Sequence, residues 1–279
     1  DMPEAVSVCA EAKSSSDILL RLSAITRVPL IKGDTLVFFD EVQKCPDIVT
    51  KIKFLVDEGS YRYIMSGSLL GVELKDLRSE PVGYMGVKEM FPLDFEEFIS
   101  NLGINENIIN SLRDSWKSSN AVDSFLHTKL MELFRLYLVI GGMPAAVNKY
   151  MESNNLQEVT AVQQDIICLY KRDIAQYDPE NKLYIEDIFD LIPPELNAKN
   201  KRFIMKSLNE SARFERYRNS FLWLKDAGVA IPVYNVEEPK VPLLLSKSRN
   251  LFKLFQNDIG LLAAQYAEGI QLRIITDDK

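Results

Sequence analysis

Leu36-Val37-Phe38-Phe39-Asp40-Glu41 is the stretch on which the reading of this chain turns. Four apolar residues run directly into two acids. A short apolar run of this kind predicts a buried parallel strand. Asp40 and Glu41 then fall at its C-terminal end, where open α/β sheets present their ligand sites. One carboxylate there can hold Mg²⁺, directly or through water, and the next can orient a water for attack on a γ-phosphate.

Working outward, Cys45-Pro46-Asp47 reads as a helix start with Asp47 as the candidate cap, and Gly59 as its end. Tyr61 to Met65 predicts a second short strand, followed at once by Ser66-Gly67-Ser68. Strand, helix and strand at this spacing make a βαβ unit. Upstream, Ile18 to Ile25 has helical spacing and Gly33-Asp34 makes a turn; downstream, Val87 to Phe91 predicts a further strand. Pro92 breaks that strand, and Asp94 starts a helix through Phe98. The two acids after their strand have the Walker B arrangement of a P-loop ATPase. Its partner, the G-x-x-x-x-G-K-[ST] phosphate loop, does not occur in residues 1–279, so the sequence carries one half of a nucleotide site.

From about Asn105 to Tyr177 the pattern is helical. Val122, Phe125, Leu126, Leu130, Leu133, Phe134 and Tyr137 recur at helical spacing and read as core. Gly141-Gly142-Met143-Pro144 reads as a turn, and a second helical run spans Leu156 to Ile174. The region after residue 180 differs again. Tyr184 to Leu191 predicts a helix stopped by Pro193-Pro194, with further helices near Lys201–Ser207 and Ser211–Ala227. Val229 to Val236 and Val241 to Ser246 read as two strands, kept short or at an edge by Pro232, Pro239 and Pro242. Helices followed by a two-stranded ribbon predict a winged helix. The expected architecture is therefore α/β. It comprises an incomplete P-loop core over 1–104, a helical lid over 105–179, a winged helix over 180–265, and the start of a further region over 266–279.

A net charge of -7 argues against a chain coated for nucleic acid, while leaving room for a local basic patch. Cys9, Cys45 and Cys168 are odd in number and far apart, which fits neither a disulfide framework nor a metal-ligand pattern; a reducing cytoplasm is the expected setting. There is no apolar run of the ~20 residues that cross a membrane and no signal peptide. The chain opens at Asp1 rather than Met, which reads as a cut or partial sequence. His127, the one histidine, lies in a helical stretch and reads as structural, so triad and zinc chemistry find no support.

LVFFDEVQKCPD at 36–47, YRYIMSGS at 61–68, MFPLDFEEFI at 90–99, GGMPAAV at 141–147, LYKRDIAQY at 169–177 and FKLFQNDIGLLAA at 252–264 together resemble a family of archaeal and bacterial AAA-type ATPases. Its members carry a P-loop ATPase domain, a helical lid, a winged helix and a C-terminal restriction-endonuclease-like domain. The resemblance covers nearly the whole chain and places the family's phosphate loop upstream of Asp1 and its nuclease-like domain beyond Lys279. Where many relatives have Gly-Arg, a candidate arginine finger, this chain reads Gly83-Tyr84-Met85.

The resemblance implies ATP hydrolysis with Mg²⁺ and, as in many AAA-type proteins, oligomers with sites between subunits. Asp40 would bind the metal, Glu41 would activate water and Ser66 would sense the γ-phosphate, with Ser68 competing for that role. Gln43 would either help orient the site or stand as a surface residue, and Arg78 would either reach a phosphate or stand as a solvated helix-end charge. The plainer readings are a helix cap for Asp40, a solvated charge for Glu41 and a turn former for Ser66. Without a phosphate cradle, residues 1–279 by themselves are expected not to hydrolyse ATP. The alternative function is a winged-helix module that binds DNA or docks a partner, with an inactive ATPase core. Its basic run is Lys199, Lys201, Arg202, Lys206, Arg213, Arg216, Arg218 and Lys225, opposed by Glu210 and Glu215. Arg213, Arg216, Arg218 and Lys225 lie on or beside the helix that would enter a major groove.

Overall fold

Two helices, α1 (Pro3–Glu11) and α2 (Ser15–Thr26), precede strand β1 (Leu36–Phe39) in the computed structural model, which describes residues 3–67, 83–177, 182–266 and 269–276. The chain divides into two units, Asp1–Glu89 and Met90–Lys279. In the first, β1 leads through a 3₁₀ turn (Val42–Lys44) into helix α3 (Pro46–Glu58) and on to strand β2 (Arg62–Met65). The strands are parallel, with Leu36 opposite Arg62 and Phe39 opposite Met65, so the expected βαβ unit is present.

Helix α3 owes its limits to its ends. Pro46 takes the first helical position, where its missing N–H costs nothing, so the cap falls on Cys45 and Asp47 lies in the first turn instead. Gly59 closes the helix in the left-handed conformation at φ 75°. Ile48, Val49, Ile52 and Leu55 form its buried stripe and pack with Cys9, Ala12, Ile18, Leu19 and Val42.

The strand pair corrects the expectation of burial. Phe39, Tyr63 and Met65 pack against this core, but Leu36, Phe38 and Ile64 are 48%, 56% and 46% exposed. Side chains alternate across a strand, and among the described residues only one face of this sheet is covered. The strand expected at Val87 to Phe91 is absent as well. Those residues are irregular, with Val87, Met90 and Phe91 exposed, because no neighbouring strand pairs with them.

The second unit begins with α4 (Phe95–Asn101), started by a capping box in which Asp94 and Glu97 each accept from the other's backbone N–H. Helices α5 (Glu106–Ser118), α6 (Ser124–Ile140), α7 (Pro144–Ser153) and α8 (Leu156–Tyr177) follow. Phe98, Ile99, Ile109, Leu130, Ile140, Ala146, Val147 and Val159 form their core. Phe125 is 71% exposed and Phe134 lies at the surface, so the aromatic residues between 125 and 137 are not all core; Tyr137 packs inside. At 100° per residue, Phe125 and Phe134 fall to either side of the face that carries Leu126, Leu130, Leu133 and Tyr137. His127 is exposed on that helix.

Helix α9 (Lys182–Asn197) runs straight through Pro193-Pro194. Two backbone bonds are lost there, yet Ile185, Ile188, Phe189, Ile192 and Leu196 stay buried on both sides of the prolines, and that packing outweighs the loss. The helix expected near Lys201–Ser207 is only a 3₁₀ turn at Met205–Ser207. Helix α10 (Phe214–Asp226) leads to an antiparallel ribbon of β3 (Ala230–Val236) and β4 (Lys247–Gln256). The second strand therefore starts after, not within, Val241 to Ser246. Pro242 cannot donate to a ladder, Leu243–Ser246 coils as 3₁₀, and Lys247 becomes the partner of Val236. Phe203, Phe214, Phe221 and Phe252 cluster between α10 and the ribbon, with ring centroids 5.1–5.9 Å apart. Two short helices, α11 (Ile259–Ala264) and α12 (Ile270–Thr276), end the described chain. Among the described residues no single helix is long and apolar enough to cross a membrane.

Candidate functional site

The C-terminal ends of β1 and β2 bring Asp40, Glu41 and Ser66 together. Parallel pairing extends one step past the strands: Ser66 N–H donates to Phe39 O at 2.9 Å, and Val42 N–H donates to Ser66 O at 3.0 Å. Asp40 and Ser66 are thereby side by side, and the Ser66 hydroxyl donates to Asp40 Oδ1. The same oxygen accepts the backbone N–H of Glu41 at 3.1 Å. Asp40 is exposed, while Glu41 and Ser66 are half-buried. Two donors on one oxygen fix the direction of the carboxylate.

Glu41 has φ 55° and ψ 47°, the left-handed region. A non-glycine residue there costs about 1 kcal/mol, and such strain gathers at functional sites. The conformation turns the chain from β1 into the Val42–Lys44 turn. Gln43 Nε2 donates to Glu41 Oε2 at 2.7 Å and so orients that carboxylate. No group of three or more His, Cys, Asp or Glu gathers as a metal site among the described residues. One carboxylate with a hydroxyl beside it suits Mg²⁺, which keeps water and phosphate oxygens in its shell, better than a metal caged wholly by protein. Ser68 and Arg78 lie outside the described residues. Tyr84, where an arginine finger was considered, has its hydroxyl 3.5 Å from Asp57 Oδ2.

The four basic candidates on α10 do not share one surface. All are exposed, but Arg216 stacks on the ring of Tyr184 at 5.1 Å from its centroid and hydrogen-bonds the Tyr184 hydroxyl. Arg213 is the N-cap residue. Arg218 and Lys225, about two turns apart, share one exposed flank of the helix, roughly a quarter turn from the stripe of buried Tyr217, Phe221 and Leu224. Lys225 is 3.9 Å from Asp226.

A second acid has a role that the sequence did not announce. Asp258 is 3% exposed and caps α11, its Oδ1 accepting from Leu261 N–H at 2.9 Å. Its Oδ2 accepts from Gly142 N–H at 2.6 Å. Burial raises the pKa of this carboxyl, partly offset by backbone N–H groups of Gly142, Leu261, Gly260 and Met143. Gly141 to Pro144 is thus more than a turn. A Cβ on Gly142 would lie 1.9 Å from Leu93 O, and one on Gly260 would lie 2.3 Å from Ile140 O. Gln163 Nε2 closes the same corner, donating to Val139 O and Ile140 O at 2.9 Å each. The N-cap role of Asp258 is readable from an acid preceding Ile259-Gly260-Leu261; its partner 116 residues away is not.

Residues 6–99, which contain β1, β2 and the acidic pair, match the model of an AAA domain, and this supports an AAA-like P-loop ATPase family. A domain of unknown function (DUF8612) matches residues 131–272, just over half of the sequence, and the chain belongs to that family. No curated protein matches the chain. The mixed helix and sheet content fits an α/β class with an AAA-type core.

Proposed function

We propose that the N-terminal unit is the Walker B half of a Mg²⁺-dependent ATP-hydrolysing site in a cytoplasmic protein. The observation that carries this reading is the pairing of Asp40 with Ser66 at adjacent parallel strand ends, beside a Glu41 held in the left-handed region. Bound Mg²⁺ supplies neutralisation of phosphate charge. Asp40 would hold the metal, Ser66 fixes Asp40 through its hydroxyl and would sense the γ-phosphate, and Glu41 would orient the attacking water. A complete site needs a phosphate-binding loop, which residues 1–279 do not contain. The test titrates ATP with and without Mg²⁺ into residues 1–279 and assays phosphate release. Metal-dependent binding that weakens at least about tenfold, ~1.4 kcal/mol, in Asp40→Asn is expected, with no turnover. Equal binding by the variant removes Asp40 from the role; turnover that disappears in Glu41→Gln shows instead that the site is complete.

A second reading is a winged helix, made of α9, α10 and the β3–β4 ribbon, that binds duplex DNA or docks a partner. Exposed Arg218 and Lys225 on one flank of α10 favour it. Salt-sensitive duplex binding weakened by Arg218→Ala and Lys225→Ala is expected if that face meets phosphates; binding indifferent to salt or to both variants excludes it.

A further inference from the structure

The β3–β4 ribbon carries an apolar face on the side away from its buried aromatic cluster. Register sets Ile231 opposite Phe255 and Val233 opposite Lys253, and alternation along β4 adds Leu251 to the same side. The four apolar residues of that side are 36–50% exposed, while Ala230, Phe252 and Leu254 on the other side are buried. The loop that joins the strands is apolar as well, with Val241 and Leu243–Leu245 51–94% exposed. An antiparallel sheet that keeps one face in water normally places polar residues there.

Size, edges and charge narrow what this surface takes. At roughly 150–200 Å² for a fully exposed side chain, these apolar residues present on the order of 800 Å². That exceeds the roughly 300–600 Å² patch of a typical monomer and matches the ~800 Å² that each partner gives to a standard interface. Strand addition at the ribbon edges is hindered: Pro232 has no N–H to give, and Phe252 O already accepts Phe203 N–H at 3.1 Å. The side-chain face is therefore the surface on offer. Lys253 lies within it, and Glu237 stands where β3 runs into the loop. Neither has an ion-pair partner among the described residues: Glu237 Oε1 accepts from Ser248 Oγ at 3.1 Å, and the loop's Lys240 pairs with Glu238 instead, at 2.8 Å.

We propose that this face docks a second copy of the chain, the two ribbons stacked face to face and antiparallel across a two-fold axis. Such a contact must be self-complementary, and stacked sheets about 10 Å apart let apolar side chains interdigitate. Antiparallel stacking brings the leucine loop of each copy over Ile231 and Phe255 of the other. It also turns each Lys253 toward the other copy's Glu237, joining two charges that a single chain leaves without an opposite. A parallel stack sets Lys253 near Lys253, so these charges fix the direction of the stack while the apolar residues supply most of the affinity.

The test is sedimentation equilibrium of residues 1–279 from about 1 to about 100 µM. A mass rising to twice 31.8 kDa is expected. Val233→Glu and Leu244→Glu, both at exposed positions, keep the circular dichroism spectrum of the wild type and each weaken association at least about tenfold. Lys253→Glu and Glu237→Lys each weaken it roughly threefold to tenfold, and the double exchange restores it. A monomer over the whole range, association indifferent to Val233→Glu and Leu244→Glu, or a double exchange no better than either single change overturns the proposal. So does a dimer lost in Phe38→Glu alone, which moves the contact to the β1–β2 sheet. A monomer that sediments with anionic lipid vesicles overturns it too, and gives the face to a lipid surface.

Discussion

Asp40 and Asp258 are the same residue in opposite surroundings. Each comes just after a strand, β1 in one unit and β4 in the other. Asp40 is exposed, tied to a hydroxyl and one backbone N–H at the end of a sheet whose other face is uncovered among the described residues. Asp258 is buried among backbone donors and locks α11 to the Gly141–Gly142 corner. The first is open to solvent; the second is enclosed by its backbone partners. What separates an exposed acid from a buried one here is what packs over the strand end, not the sequence immediately before it.

The contrast can be broken by mutation, and the largest effect is expected at the closed corner. Gly142→Ala forces a Cβ into the Leu93 carbonyl and should cost the Met90–Lys279 unit roughly 3–4 kcal/mol. Trp116 and Trp223 both lie in that unit, so their fluorescence in a urea titration reads it directly. A loss below about 1 kcal/mol would mean that the corner is loose.

The next comparison is between the two faces of the N-terminal unit. Ile52→Ala, at a site 1% exposed, should cost about 3 kcal/mol, whereas Phe38→Thr on the bare face should cost under about 1 kcal/mol. Circular dichroism of the unfolding transition measures both. Equal costs would show that the bare face is covered in solution.

A smaller effect sharpens the role of Asp258. Asp258→Asn leaves a buried backbone N–H facing an amide donor and should cost about 2 kcal/mol under acidic conditions. The raised pKa means that the folded protein binds this proton more tightly than the unfolded chain. The stability from that proton is full below the ordinary value of 3.8 and is lost as pH rises through the folded value. Urea titrations at several pH values should therefore show the gap between wild type and variant narrowing as pH rises. A gap that widens would mean that the backbone donors outweigh burial.

Local signals made several elements legible in the sequence. The apolar run before Asp40, Pro46 with Gly59 around α3, and Asp94 with Glu97 before α4 are decided by nearest neighbours, and the structure follows them. Asp40 and Glu41 follow from the strand end and Ser66 from the family resemblance; the structure sets Ser66 beside Asp40, with Glu41 next in the chain. Pro193-Pro194 misled because local helix cost was outweighed by a buried stripe that spans the break. Val241 to Ser246 misled because an alternating pattern cannot show which residues find a ladder partner.

The sequence by itself determined the βαβ segment, the acidic pair at its end, the helical middle and the ribbon near the C-terminus, because spacing, caps and breakers act over a few residues. Only the tertiary structure decided that, among the described residues, one face of the β1–β2 sheet is uncovered, that Arg216 lies on Tyr184, and that Asp258 holds Gly142. Those pairings join positions far apart along the chain. They depend on how helices and strands stack, and no local pattern of residues encodes that distance.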